Sequence, residues 1–273
     1  MRVVLETRQD CTGPISLKGI NLPALFHLSQ GEIWQLPLNH LSQPFVLGDV
    51  FKVDIRDSDG DEVVLRGDTR LLHYCGYGMD SGRVMVEGDA GACAGSGMSG
   101  GELVIEGNAG DCLGVAMSGG KISVQGNTGD WCGAALAGES KGMTGGVILT
   151  GGNAGSNLGN GMRRGLIAVA GNCKNYAGSC MLAGTILCLG EMGAGAGVGM
   201  QRGSLVAGTI QSILPGFSPA GLADTGWLRL YLNWLEENGF TMPASWLEKP
   251  PYRFSGDHLA AGKGEILAYE FPQ

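Results

Sequence analysis

Three arginines of this chain have a residue type and a spacing that suit a binding role. Arg163 and Arg164 precede a turn glycine, and Arg202 holds the position of Arg164 two repeats later. Stacked strands would place Arg164 and Arg202 on the order of 10 Å apart. Guanidinium groups bind carboxylates through paired hydrogen bonds, so Arg163, Arg164 and Arg202 are candidates for contact with an anion or a partner protein. The alternative is a solvated or structural group, which is the commoner role of surface arginines.

Other residue types that often do chemistry lack a suitable spacing. The segment GSGMSG at 95–100 has a GxGxxG pattern, but its glycines belong to turn positions shared with repeats that lack the pattern, so no dinucleotide loop is expected. Ser99 and Ser118 have no histidine at matching offsets, which argues against a serine nucleophile. The four histidines share no position in the repeat; they are His27, His40, His73 and His258. We therefore predict no catalytic, cofactor-binding or metal-binding residue.

Sulfur-bearing side chains are numerous, and packing explains them better than metal binding. The eight cysteines form no CxxC pair and are spread along the chain, so we expect buried, reduced thiols rather than zinc ligands. Methionines recur at one position of the repeat, where interior stacking explains them without a soft metal ion.

The three arginines and the recurring methionines are set in a repeat with the consensus G-[ND]-x-G-x-x-x-G-x-x-M-x-x-G after each β-rich run. The anchor glycines are Gly67, Gly88, Gly107, Gly126, Gly152, Gly171, Gly190 and Gly208, with spacings of 21, 19, 19, 26, 19, 19 and 18. Asparagine follows the anchor at Asn108, Asn127, Asn153 and Asn172, and methionine lies ten residues after it at Met98, Met117, Met162, Met181 and Met200. Leu136 holds the methionine position of the longest unit, whose extra residues are expected within 136–146, plus one at the Gly151–Gly152 doublet.

The period predicts the fold class. A fixed period of about 20 residues is typical of a solenoid, and so many glycines disfavour helical repeats. Residues two and four before each anchor are apolar, as in Leu103/Ile105, which places them on the inner face of short strands. In the longest unit this pair is expected at Val147/Leu149, with a one-residue bulge. We predict an all-β chain: a right-handed parallel β-helix of about seven coils of about 19 residues, with stacked asparagines and small capping flanks.

The repeat divides the chain into three parts. An N-terminal flank covers 1–62, the repeat domain covers 63–208, and a C-terminal flank covers 209–273. A short helix near 22–29 and strands within 44–55 are expected in the first flank. In the second, a helix is predicted at about 225–238, with Thr225 as its N-cap and Gly239 at its end. The flanks are natural covers for the open ends of a solenoid, or docking elements for another chain.

An apolar strip is predicted on the outward face of the later strands. Its residues are Ile148, Ala168, Leu187 and Leu189. Such a strip suggests a protein interface, with packing of a local flank as the alternative. Charged residues make up only 16% of the chain, against about 25% in an average soluble domain, which also suggests that partners cover part of the surface.

The overall composition excludes several functional classes. A net charge of −8 and a pI of about 5.0 disfavour nucleic-acid and anionic-lipid binding. No run of about 20 apolar residues suggests a membrane span. The first residues, MRVVLETRQD, lack the apolar segment of a signal peptide, so a cytoplasmic location is expected.

With this consensus, and with EGNAGDCLGVAMSGG at 106–120 as a good match, the chain resembles the C-type subunits of formylmethanofuran dehydrogenase over roughly residues 60–208. The same family includes the C-type subunits of the bacterial formyltransferase/hydrolase complex, which the composition favours. A similar β-helix forms the C-terminal domain of glutamate synthase, so a domain that couples sites in an amidotransferase is the alternative.

The resemblance implies a non-catalytic structural subunit in one-carbon metabolism. Its partners would be a hydrolase (A-type) subunit, a B-type subunit and a formyltransferase (D-type) subunit in a hetero-oligomer. The complex would pass a formyl group from tetrahydromethanopterin to a methanofuran-type carrier and release formate; the dehydrogenase version is an oxidoreductase. Metals would lie in other subunits, and this chain would bind no cofactor.

Overall fold

The structure is a computed structural model that describes residues 1–8, 13–38, 45–58, 60–224 and 226–271. The strands of these ranges are β1 (Arg2–Thr7), β2 (Ile15–Ser16), β3 (Pro37–Leu38), β4 (Phe45–Val46), β5 (Phe51–Arg56), β6 (Glu62–Arg66), β7 (Leu72–His73), β8 (Arg83–Val86), β9 (Ser99–Ile105), β10 (Gly119–Val124), β11 (Val147–Thr150), β12 (Leu166–Val169), β13 (Thr185–Met192), β14 (Arg202–Ile210), β15 (Ser218–Leu222), β16 (Tyr252–Gly256) and β17 (Lys263–Glu270). The α-helices are α1 (Gln30–Trp34), α2 (Leu47–Val50), α3 (Gly226–Glu237) and α4 (Ala244–Glu248), and two 3-10 helices span Leu22–His27 and Thr69–Leu71.

One sheet of 13 strands connects the flanks and the repeat, in the order β15-β16-β17-β14-β13-β12-β11-β10-β9-β8-β6-β1-β5. Every pair from β1 to β17 along this order is parallel, whereas β5 at one end and β16 and β15 at the other pair in antiparallel fashion. A second line of parallel bridges joins Ala90, Ala109, Thr128, Ala154, Cys173 and Met192. The chain is all-β in class, as predicted.

The alternation of apolar residues sets the register of the parallel strands. Leu103 pairs with Ile122, and Ile105 pairs with Val124. These side chains are buried in one continuous core. Because a slip of one residue would turn every such side chain to the opposite face, burial of one face fixes the register. The predicted inner pairs of the regular repeats are confirmed.

The longest unit differs from the prediction. Ile148, not Val147 or Leu149, pairs with Ile122 and Ile167, and it lies in the core. Gly152 continues the glycine column, because its N–H donates to the Gly126 carbonyl at 2.8 Å. No extra residue is therefore inserted at the Gly151–Gly152 doublet. The apolar run Val147–Leu149 offers no alternation, so the sequence could not select this register.

The N-terminal flank extends the sheet with β1 and β5. A 3-10 helix at Leu22–His27 lies where a short helix was expected, and α1 follows it with a capping box in which Ser29 and Glu32 exchange hydrogen bonds. The segment 44–55 was expected to form strands only. Its described part, from residue 45 on, forms β4, the helical turn α2 and β5 instead, and the Val46 N–H donates to the Asp49 carboxylate in that turn at 3.0 Å.

The C-terminal flank extends the other end of the sheet and covers one face of it. Helix α3 ends near Gly239, as predicted, where φ of +89° suits glycine. Thr225, the predicted N-cap, lies outside the described residues. Near the helix end, the Lys121 ammonium of β10 donates to the Asn238 side chain at 2.9 Å. Within the described ranges, no helix combines the length and apolar character that crossing a membrane requires.

Candidate functional site

The asparagine column forms a hydrogen-bonded ladder along the stacked repeats. The backbone N–H groups of Asn127, Asn153 and Asn172 donate to the side-chain oxygen one repeat earlier, at 2.9, 2.8 and 2.8 Å. The ladder begins at Asp89, whose carboxylate accepts from the Asn108 N–H at 2.7 Å. Each side-chain oxygen is thus used to hold the next repeat, which is a structural role.

Removal of one ladder side chain is expected to weaken the stack by about 1 kcal/mol. Asn127→Ala leaves the Asn153 N–H without its acceptor and removes the 3.0 Å bond from the Asn127 side chain to Asn108. Asn127→Asp keeps the acceptor and should restore part of the loss. Chemical denaturation measures the effect, with Asn233→Ala on the exposed side of α3 as the control. Equal stability of the Asn127→Ala chain and the wild type would show that the ladder contributes nothing.

The glycine and methionine columns are also structural. The Gly107 N–H donates to Gly88, and the Gly126 N–H to Gly107, both at 2.9 Å. The predicted methionines are buried in the core; they are Met98, Met117, Met162, Met181 and Met200. Leu136 is wrong as a member of this column, because it is 51% exposed. Met143 takes its place, because its N–H donates to the Gly133 carbonyl at 3.0 Å, as the Met117 N–H does to Gly114 one repeat earlier. The extra residues of the longest unit therefore lie between Gly133 and Met143.

The predicted outward strip is not free for a partner. Ile148 faces the main core, and Ala168 and Leu187 lie in a second core cluster beneath the C-terminal flank. Leu189 is partly buried against the same cluster. The prediction of an exposed protein interface here is wrong, since Ile148 points inward and the chain's own flank, including α3, packs over the other three residues. For those three, the alternative of local packing is confirmed.

The three candidate arginines lie together at a surface groove. Arg163, Arg164 and Arg202 line a groove of about 800 Å3, between α3 and the edge where β11 to β14 begin. The backbone positions two of them, because the N–H groups of Arg163 and Arg164 both donate to the Met143 carbonyl, at 2.8 and 3.3 Å. The sequence predicted this grouping from the spacing of the repeat.

One wall of the groove comes from the C-terminal flank. Leu230, Tyr231 and Trp234 of α3 line it, and the Tyr231 ring meets the Trp227 ring edge-on, with centroids 5.8 Å apart. Sequence reasoning missed this wall, because the apolar face of α3 signalled burial without indicating which part of the repeat it covers.

A second cleft, of about 640 Å3, was also missed. Trp131, Cys93 and Cys112 line it together with loop residues such as Leu136 and Glu139. One turn column supplies residues with positive φ: Tyr74, Cys93, Cys112, Trp131, Asn157 and Tyr176. The available signal was the recurrence of a residue other than glycine five positions after the anchor, which holds for all of these except Tyr74, seven positions after Gly67. Each such residue costs of order 1 kcal/mol of backbone strain.

The described cysteines occupy three environments. Cys75, Cys132, Cys173 and Cys188 are buried, as predicted; Cys93 and Cys112 are half-buried, and Cys180 is exposed, contrary to the prediction. Burial raises the pKa of the Cys75 and Cys132 thiols to about 12. The folded state therefore holds both as neutral thiols, which makes them poor nucleophiles.

These buried thiols predict a loss of stability in alkali. The pKa of a thiol in an unfolded chain is about 8.5, so above that pH the unfolded chain loses protons that the folded chain keeps. The free energy of unfolding should fall by up to about 1.4 kcal/mol per pH unit for each thiol between the two pKa values. Denaturation from about pH 8 to about pH 10 measures this slope, which should be shallower in Cys75→Ala/Cys132→Ala. An identical slope would contradict the assignment.

The sequence also predicts that the chain has no dinucleotide-binding loop, no serine nucleophile and no metal site. The segment 95–100 leads into strand β9 rather than a helix, which does not suit a dinucleotide loop. The Ser118 hydroxyl donates to the Met98 carbonyl at 3.4 Å. His40 lies outside the described residues. In the part of the chain that the structure describes, no three His, Cys, Asp or Glu side chains lie close enough to hold one metal ion.

Comparison with known proteins gives one consistent assignment. No protein-family model matches the chain. Over 87 residues, 37% are identical to the Fhc C-type subunit of the formyltransferase/hydrolase complex of Methylorubrum extorquens, a segment that spans 32% of each protein. A chain in the X-ray crystal structure of the formyltransferase/hydrolase complex (FhcABCD) from Methylorubrum extorquens with methylofuran is 36% identical. That structural match has a TM-score of 0.87 and covers 97% of this chain and 98% of the other. The chain therefore belongs to the family of C-type subunits of formyltransferase/hydrolase complexes.

Proposed function

We propose that this chain is a non-catalytic structural subunit of a formyltransferase/hydrolase complex. The observation that carries the proposal is the structural match over 97% of the chain at 36% identity to a chain of such a complex. In that complex, as its name states, formyl transfer and hydrolysis occur together. This chain would place the subunits that carry those reactions at a fixed separation.

A rigid fold suits this role, and we propose that it is a right-handed parallel β-helix. Support comes from the parallel ladder, the second line of bridges and the asparagine ladder, which recur at the repeat spacing. The repeat at 63–208 would form the solenoid, and the flanks at 1–62 and 209–273 would cover its ends. The antiparallel strands β5 and β15–β16, which end the sheet, are consistent with this division.

The use of the polar turn residues supports a role without catalysis. The asparagine oxygens hold the backbone of the next repeat. Asp111 and Asp130 do the same, because their carboxylates accept from the N–H groups of Asp130 and Ser156 at 2.8 and 2.7 Å. Side chains committed to stacking in this way are poorly placed to act as general acids or bases.

The partners and carriers follow from the same proposal. A-type hydrolase, B-type and D-type formyltransferase subunits would dock on this chain, and any metals would lie in them. The formyl group would move from tetrahydromethanopterin to a methanofuran-type carrier and leave as formate; the related complex contains methylofuran. The described cysteines are all thiols, which supports a cytoplasmic location. The comparisons do not favour the glutamate-synthase alternative.

Native co-purification tests the assignment. A tagged copy of this chain, expressed in its own cells and recovered without cross-linking, should bring down hydrolase-type and formyltransferase-type subunits. Mass spectrometry of the intact assembly would give their identity and stoichiometry. Recovery with glutamine amidotransferase components, or recovery of this chain alone, would contradict the proposal.

A further inference from the structure

Two thiols lie side by side in the second cleft. Cys93 and Cys112 both line it, and both are half-buried. They occupy one position of successive repeats, because each lies three residues after a member of the Ala90–Ala109 bridge. The Cys93 N–H donates to the Asp111 carbonyl at 2.8 Å, which holds the two backbones in register. Neighbouring repeats lie about 4.8 Å apart, within the range of about 4.4–6.8 Å in which two cysteine Cα atoms suit a disulfide bond.

The backbone turns both side chains in the same direction. The φ angle is +62° at Cys93 and at Cys112, so their Cα–Cβ bonds leave the stacked backbone in the same sense. Side-chain hydrogen bonds join the Cys93 thiol to the Tyr74 hydroxyl and to the Cys112 thiol. The next member of the column, Trp131, is 43% exposed. The fold therefore holds two neighbouring thiols on an outward face of the repeat.

The other described thiols differ in access or in neighbours. A side-chain hydrogen bond also joins Cys173 and Cys188, but these residues are 3% and 0% exposed, so they are closed to a reagent from solvent. Cys180 is exposed, but the adjoining repeats have glycine at its position, Gly161 and Gly199. Among the described cysteines, access to solvent and a neighbouring thiol are combined in the pair at 93 and 112.

The two thiols of the pair differ in reactivity. Burial, together with the neighbouring Cys93, raises the pKa of the Cys112 thiol to about 11. Because the thiolate is the nucleophile, a thiol with so high a pKa attacks slowly near neutral pH. The first attack on an oxidant therefore belongs to Cys93, and Cys112 reacts second.

We propose that Cys93 and Cys112 form a modification site at which a hydroperoxide converts the two thiols into a disulfide bond between successive repeats. Disulfides of this kind in the cytosol are usually transient and redox-sensing. The proposal goes beyond the structural role and does not depend on it, because both thiols belong to this chain.

The reaction is a two-electron oxidation of the thiol pair. The Cys93 thiolate attacks one oxygen of the hydroperoxide, and the O–O bond breaks. The other oxygen leaves as water or an alcohol, with the proton that Cys93 has lost, and Cys93 becomes a sulfenic acid. The Cys112 sulfur then attacks the Cys93 sulfur, the S–O bond breaks, and the hydroxyl group leaves as water with the Cys112 proton. The hydroperoxide gains the two electrons that the thiols lose, and an added dithiol reverses the oxidation.

Treatment of the full-length chain with hydrogen peroxide tests the proposal. After alkylation of the remaining thiols and digestion, mass spectrometry should find the peptides of Cys93 and Cys112 linked, with the loss of two hydrogen atoms. Dithiothreitol should remove the link. Cys180→Ser is the matched control, because it removes an exposed thiol that has no thiol beside it in its column, and the linked peptides should form at an unchanged rate.

Two variants separate the roles of the thiols. Cys112→Ser should leave Cys93 as a sulfenic acid that dimedone labels. Cys93→Ser should leave Cys112 largely reduced, with oxidation about tenfold slower or more. The absence of linked peptides in the folded wild type, their formation only after unfolding in urea, or undiminished oxidation of Cys112 in Cys93→Ser would overturn the proposal. If a variant fails to fold, the comparison of folded and urea-unfolded wild type still decides.

The same treatment of the native complex distinguishes this proposal from the proposed function. The link between Cys93 and Cys112 is expected there as in the isolated chain. Protection of both thiols in the complex would show that a partner covers the cleft, and would overturn the proposal for the assembled protein. Failure of the wild-type chain to assemble would instead count against the proposed function, independently of the thiols.

Discussion

Replacing Gly119 by alanine should destabilise the chain by about 3 kcal/mol or more, because the new methyl group would overlap the backbone of the preceding repeat. A Cβ atom at Gly119 would collide with the Ser99 carbonyl oxygen. The same collision occurs in neighbouring repeats, between Gly100 and Asp80 and between Gly145 and Ser118. The requirement at Gly119 is therefore close approach of stacked backbones rather than an unusual φ.

The surrounding strands leave little room for adjustment. β10 is hydrogen-bonded to β9 on one side and β11 on the other, so moving Gly119 away from Ser99 would disturb both pairings. Gly31→Ala is the matched control, since a Cβ there meets nothing within 4 Å and the residue lies in helix α1. Urea denaturation should show a large loss for Gly119→Ala and no loss for Gly31→Ala. Equal stability of the two variants would refute tight stacking at this position.

The second large effect is expected in the C-terminal flank. Leu232 of α3 is fully buried in the cluster that contains Ala168 and Leu187. Leu232→Ala removes buried apolar contacts and leaves a cavity, which should cost about 3 kcal/mol. Leu230, two residues earlier on the same helix, is 72% exposed, so Leu230→Ala should change the free energy of unfolding by less than about 0.5 kcal/mol.

This pair of variants also tests what covers the outward strip. If α3 covers it in the isolated chain, Leu232→Ala lowers stability without any partner present, and hydrogen exchange accelerates in β12 and β13 as well as in α3. If α3 does not pack on the strip in the isolated chain, the Leu232→Ala chain would keep its stability and its exchange protection.

The sequence predicted the features that arise from local periodicity. Alternation at Leu103/Ile105 and Ile122/Val124 identified the inner face, because neighbouring residues of a strand point to opposite sides. Because equal spacing stacks equivalent residues, the recurring asparagines predicted a ladder. The same spacing placed Arg164 and Arg202 near each other, on the side of the sheet where the strands begin. Each of these inferences needs only the repeat.

The wrong predictions concern segments where the repeat pattern does not determine the strand register, and places where segments far apart in the chain pack together. Val147–Leu149 is apolar throughout, so alternation could not fix the register, and Leu136 held the methionine position only if the insertion lay after it. The strip at Ala168 and Leu187 and the apolar face of α3 were each visible in the sequence. Their mutual contact was not, because packing between segments far apart in the chain leaves no periodic signal.

Formate release from a formylated carrier by the purified complex, rebuilt with and without this chain, tests the structural role most directly. The account predicts formate release by the complete complex, none by this chain alone, and a large loss when the other subunits are mixed without it. Restoration by the Gly31→Ala chain, together with weaker restoration by the destabilised Gly119→Ala chain, would link that loss to the folded scaffold. Formate release by the isolated chain, or full activity without it, would contradict the account.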